Sequence, residues 1–142
     1  MSQPTHVVDA MNVIGSRPTG WWRDRDGAIR LLVERLQDLA AAEAAPVIVV
    51  VDGRPLVDLP EGNYGDVQLL YASRRGPNAA DDRIIALIEA HSDPASLEVV
   101  TSDRELARRA RQLGASVTSP RLLLEKLDEL APGVPPAANR DA

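Results

Sequence analysis

Three apolar runs in this chain lead into an aspartate. Thr5 to Val8 runs into Asp9, Val47 to Val51 into Asp52, and Leu97 to Thr101 into Ser102-Asp103. A further acidic pair, Asp81-Asp82, opens a stretch with helical spacing. If the runs are parallel strands of one sheet, their carboxyl ends lie along one edge, and carboxylates remote in sequence converge there. Like charges at close range repel unless a cation neutralises them. Oxygen ligands without His or Cys select magnesium or manganese over zinc. Such an ion lowers the pKa of a bound water and clamps phosphate oxygens, which is what phosphodiester hydrolysis needs.

Each residue also has a plainer reading. An aspartate after a strand is often a turn residue or a helix cap. Asp81 and Asp82 suit a helix N-terminus through its dipole alone, and Asp103 could serve only as a cap. Their common place at one predicted edge weighs toward chemistry. Asn12 follows Asp9 by three residues and can brace the Asp9 loop or orient a water; the plainer reading is a turn asparagine. Arg17, Arg54, Arg74 and Arg75 fall in loops after strands, where guanidinium forks suit phosphate oxygens. Trp21 and Trp22 share one loop and could stack on bases, although packing over the following helix is expected for at least one. Asp24, Asp26, Asp58, Asp66 and Asp93 read as solvated. His6, inside a strand, reads as structural.

The elements that must position these groups alternate along the chain. Strands are expected at Thr5 to Val8, Val47 to Val51, Val67 to Tyr71, Leu97 to Thr101 and Ala115 to Thr118. The β-branched run at 47–51 fits a strand buried on both faces. Ile29, Leu32, Val33, Leu36 and Leu39 repeat at helical steps within a helix from Asp26 to Ala44, which Pro46 ends. Gly53, Pro55, Pro60 and Gly62 mark a loop. Asn78 caps a helix to about His91, Ser102 or Asp103 caps one ending at Gly114, and Pro120 starts the last, to Leu130. The order predicts a three-layer α/β/α domain over residues 1–130, with about five mostly parallel strands. Residues 131–142, APGVPPAANRDA, lack periodicity and read as a flexible tail.

Composition narrows the class. At 142 residues with 44% apolar content the chain can build one real core. It has no cysteine, so a disulfide scaffold and a thiolate zinc site are excluded. No signal peptide and no membrane span is legible, and a cytoplasmic location is expected. The net charge of −5 argues against a passive nucleic-acid binder but not against a nuclease whose acidic site takes up cations. Of the 16 basic residues all but Lys126 are arginine, a bias that a GC-rich genome also produces.

The segments VVDAMNVIGS, VVVDG, NAADDRIIALI and VVTSDRELARRARQLGA, taken in order over roughly residues 5–130, resemble YacP-like NYN domains of the PIN-like nuclease superfamily. The resemblance implies a PIN-like fold and metal-dependent endoribonuclease activity on RNA. Carried over by position, it implies that Asp9, Asp81, Asp82 and Asp103 hold Mg²⁺ or Mn²⁺, and that Asn12 works beside Asp9. Asp52 and Ser102 are expected to support the ligands. Some members of this branch act on messenger RNA at the ribosome, so the ribosome or another protein delivering substrate is a candidate partner, and a homodimer stays open. The alternatives are a PIN-like adaptor that binds RNA without cleaving it, and a different metal-dependent phosphohydrolase. An aspartyl-phosphatase signature is absent, since Ala10 and Met11 follow Asp9. A receiver-like domain fits poorly, because Lys126 lies in the last helix, and no phosphate loop of the GxxxxGKS type occurs.

Overall fold

The structure, a computed structural model, describes residues 3–73, 76 and 78–130. Strand β1 (Thr5–Asp9) passes directly into helix α1 (Ala10–Gly15). A 3₁₀ turn at Trp21–Arg23 leads to helix α2 (Arg25–Glu43), followed by β2 (Val47–Asp52), β3 (Gly62–Tyr64) and β4 (Val67–Ala72). Helix α3 (Ala79–Ala90), strand β5 (Leu97–Val100), helix α4 (Arg104–Gln112), strand β6 (Ser116–Thr118) and helix α5 (Pro120–Leu130) complete the order.

The sheet runs β3-β4-β2-β1-β5-β6. All neighbours are parallel except the β3–β4 pair at one edge. The expectation of a mostly parallel three-layer sheet is met, with six strands rather than about five. The extra strand, Gly62–Tyr64, falls in the segment whose glycines and prolines read as loop. Three residues are too few to display alternation, and its antiparallel pairing with β4 supplies what its own sequence does not.

Period-two alternation divides the strands between two cores. Val8, Val49, Val51, Leu69, Tyr71 and Val100 pack on the layer of α1, α2 and α5. Val7, Val50, Leu70, Ala72 and Val99 pack on α3 and α4. Both sheet faces are thus covered, which is why the strands read as continuous apolar runs. Among the described residues no helix is long and apolar enough to cross a membrane.

Helix α1 stands where a loop was expected after Asp9. Its two buried residues, Ala10 and Val13, lie three apart, and six residues are too short for a periodic signal. Asp24, read as solvated, caps α2 by accepting from the Gly27 amide at 3.0 Å. Strand β1 lies at the centre of the sheet. From it the chain moves outward through β2 to β4, then returns across to β5 on the other side. The reversal sets the carboxyl ends of β1 and β5 side by side, the position at which open α/β sheets bind ligands.

Candidate active site

Asp9 ends β1 and is only 7% exposed. Its Oδ2 accepts the Thr101 hydroxyl at 3.0 Å, and the same Thr101 oxygen accepts the Asp103 amide at 3.1 Å. One hydroxyl therefore joins the end of β1 to the start of α4. Asp103 caps α4, its Oδ1 accepting from the Leu106 amide at 2.9 Å. Asn12, one turn into α1, closes a second link: its Oδ1 accepts both the amide and the hydroxyl of Ser102, each at 2.8 Å. These bonds fix the register between the two strand ends that carry Asp9 and Asp103.

Asp81 is half-buried in the first turn of α3, beside the more exposed Asp82. Asp82 lies 3.4 Å from the Arg109 guanidinium. Asp52 ends β2 and is exposed; its backbone carbonyl accepts from Arg25. The following Gly53 has φ of +123°, and a Cβ there would stand 2.6 Å from the Arg25 Nη2, so the turn after Asp52 requires glycine.

Burial is the first cause of the charge state at this edge. It pushes the Asp9 carboxyl from 3.8 up to about 6; the Thr101 hydroxyl opposes the shift, and the charges of Asp81 and Asp103 reinforce it. Burial also raises Asp81, helped by Asp103 and then by Asp82 and Asp52, against Arg109. All five predicted acidic positions therefore belong to one electrostatic neighbourhood. As they stand, however, no three His, Cys, Asp or Glu side chains among the described residues are grouped so as to hold a metal ion. The donor set nonetheless fits a hard cation: it offers oxygen ligands only, among them a buried carboxylate whose pKa burial and two acidic neighbours raise. Magnesium suits such a site, since it commonly keeps most of its waters and takes only one or two protein carboxylates.

The predicted basic and aromatic residues divide. Arg17 pairs with Asp128 of α5 at 2.9 Å. With Trp21 it lines an apolar groove of about 290 Å³ between α1, α2 and α5. Trp21 meets Trp22 edge-on at 6.3 Å; Trp22 is 61% exposed, with Arg23 over its ring. Arg54 is exposed and in no ion pair among the described residues. Arg74, Arg75 and the segment 131–142 lie outside the described residues. His6 is buried, its Nε2 2.9 Å from Glu43, which fits the structural role expected of it. Sequence reasoning missed Thr101, which ends an apolar run and looked like one more strand residue. It also missed Arg109, whose reach to Asp82 depends on how α3 and α4 pack.

The sequence profile of the YacP-like NYN domain matches residues 6–139. The chain belongs to the YacP-like NYN domain family. The match continues beyond Leu130 into the segment read as a tail. The chain is similar to the crystal structure of Rae1 (YacP) from Bacillus subtilis, with 25% identity over 89% of this chain and 74% of that one, at a TM-score of 0.70. A mutant of the same protein superposes at a TM-score of 0.73 with 23% identity, over 90% and 77% of the two chains. No curated protein sequence matches significantly. Membership in the YacP-like NYN family implies a nuclease-type, RNA-related function. NYN nucleases generally depend on divalent metal.

Proposed function

We propose that this chain is a metal-dependent endoribonuclease whose site is the acidic edge formed by Asp9, Asp81, Asp82 and Asp103. The observation that carries this reading is Asp9: a carboxylate 7% exposed, raised to about 6 by burial and by two acidic neighbours, at the topological switch of the sheet. Nothing in core packing calls for that arrangement, and perturbed carboxylates in such a position are candidates for chemistry. A bound Mg²⁺ or Mn²⁺ would supply a water of lowered pKa and a counter-charge for phosphate oxygens. Asp9 and Asp81 would hold the ion, with Asp82 and Asp103 beside them. Thr101 keeps Asp9 oriented and favours its ionised form. Asn12 holds the Ser102-Asp103 segment against α1, so that the two strand ends keep their spacing.

The adaptor alternative draws on two observations: Asp103 is already used as a helix cap, and no three His, Cys, Asp or Glu side chains among the described residues are grouped so as to hold a metal ion. A cleavage assay separates the two. Single-stranded RNA incubated with the wild-type protein and manganese is expected to be cut internally, and EDTA or Asp9→Asn should abolish the cut. RNA that binds but stays intact with manganese and with magnesium would favour the adaptor.

A further inference from the structure

Helix α4 carries four arginines, and they divide into two kinds. Arg108 pairs with Glu105, its Nε 3.0 Å from the carboxylate, and Arg109 with Asp82. Arg104 and Arg111 have no acidic partner among the described residues, although the chain carries a net charge of −5. Both line one cavity of about 460 Å³ beyond the ends of β5 and β6. They stand seven residues apart, on one helical face. Because helix side chains lean toward the N-terminus, Arg111 is directed back toward the strand ends.

Four hydroxyl-bearing residues, Thr101, Ser102, Thr118 and Ser119, share the wall with the apolar Ala107 and Val117. Ser119 Oγ accepts the Leu122 amide, which leaves its proton free to be donated. Among the described residues no carboxylate lines the cavity. Thr101 and Ser102 are also the residues bonded to Asp9 and Asn12, so the cavity adjoins the acidic edge directly. Thr101 and Ser102 already give their hydroxyl protons to Asp9 and Asn12, so the two guanidiniums, with the hydroxyls of Thr118 and Ser119, are what suit phosphate oxygens. Arginines rooted about 10 Å apart along a helix axis suit a run of phosphates better than a single one.

We infer that this cavity is the backbone subsite for the RNA strand: Arg104 and Arg111 receive phosphodiesters flanking the one presented to the acidic edge. The inference rests on the RNA reading above and supplies the positive surface that Arg17, held by Asp128, does not. It also accounts for how a net-negative protein admits a polyanion, since a local basic patch suffices to steer one.

The test is binding of a labelled single-stranded RNA, followed by fluorescence anisotropy across a salt series in EDTA, where no cleavage is needed. R104A/R111A is compared with R108A/R121A, which removes the same charge from arginines paired to Glu105 and Glu125 outside the cavity. The cavity double variant is expected to bind about tenfold or more weaker, with a salt slope shallower by about 1.4, near 0.7 for each lost phosphate contact. The control should stay within about twofold of wild type. R104K/R111K keeps the charge and guards against a folding defect; it should restore most of the salt slope. Equal binding by the two double variants, or no measurable RNA binding by the wild-type protein, overturns the inference. Wild-type cleavage alongside equal binding would overturn the subsite alone. Arginine-dependent binding without any cleavage would support the subsite and remove the nuclease reading.

Discussion

Replacing Asp9 by Asn tests whether the acidic edge is built around a missing positive charge. Asp9 ionises at about 6 in the folded chain against 3.8 when unconstrained. Two pH units correspond to roughly 3 kcal/mol by which folding opposes the ionised form. Because the folded value is the higher one, the unfolded chain gives up its proton first as pH rises. The penalty is absent below 3.8, grows up to about 6, and is complete above that. Linkage then gives a penalty of about 1 kcal/mol near pH 4.5 and about 3 kcal/mol near pH 8.

Asn keeps an acceptor for the Thr101 hydroxyl and carries no charge. Its new amide donors cost a fixed amount, about 1–3 kcal/mol if they find no acceptor. The diagnostic quantity is therefore the change in the stability gap with pH. Relative to wild type, Asp9→Asn should gain about 2 kcal/mol between pH 4.5 and pH 8, measured by urea unfolding in EDTA. For a domain of this size that is a relative rise in Tm of about 4–8 °C. Manganese should raise the wild-type Tm at pH 8 and leave the variant nearly unmoved, because only a ligand held by the native state stabilises it. A gap that stays constant across this pH range would refute the claim that Asp9 is buried as a strained carboxylate.

Thr101→Val removes the hydroxyl that serves both Asp9 and the Asp103 amide, and should cost about 1–3 kcal/mol in urea unfolding. With that donor gone Asp9 ionises at still higher pH, so the cleavage rate should rise with pH later than in the wild type; an unmoved pH profile would mean that Asp9 does not govern the rate. Asp103→Asn keeps a good N-cap for α4, whereas Asp103→Ala should lose about 1 kcal/mol of stability. Both should lose RNA cleavage, and full activity in a well-folded Asp103→Asn would remove that carboxylate from the site.

Much of this architecture is legible in the chain because local signals agree. Val47 to Val51 is β-branched throughout and sits in a strand covered on both faces; Ile29, Leu32, Leu36 and Leu39 keep a helical step and face one core. Asp9, Asp52 and Asp103 fall just after apolar runs, so a parallel sheet alone carries them to one edge. Short elements escape such reading: α1 spans six residues and β3 three, less than either needs to display its period.

What the chain by itself determined was which residue types reach the carboxyl edge, through strand length and the placement of Asp9, Asp52, Asp81, Asp82 and Asp103. Only the tertiary structure decided their state and their company. Burial and neighbouring charge, not residue type, push Asp9 to about 6. Thr101 became its hydrogen-bond donor because β1 and β5 lie side by side, 92 residues apart in sequence. The arginines were sorted in the same way. Sequence offered Arg17 as a rim residue and gave no reason to prefer Arg104 or Arg111. The packing of α5 placed Asp128 against Arg17, while among the described residues no carboxylate was brought into the cavity beside Arg104 and Arg111. A guanidinium is more readily available to a phosphate where no acidic side chain has been folded against it, and that pairing is a long-range property of the fold.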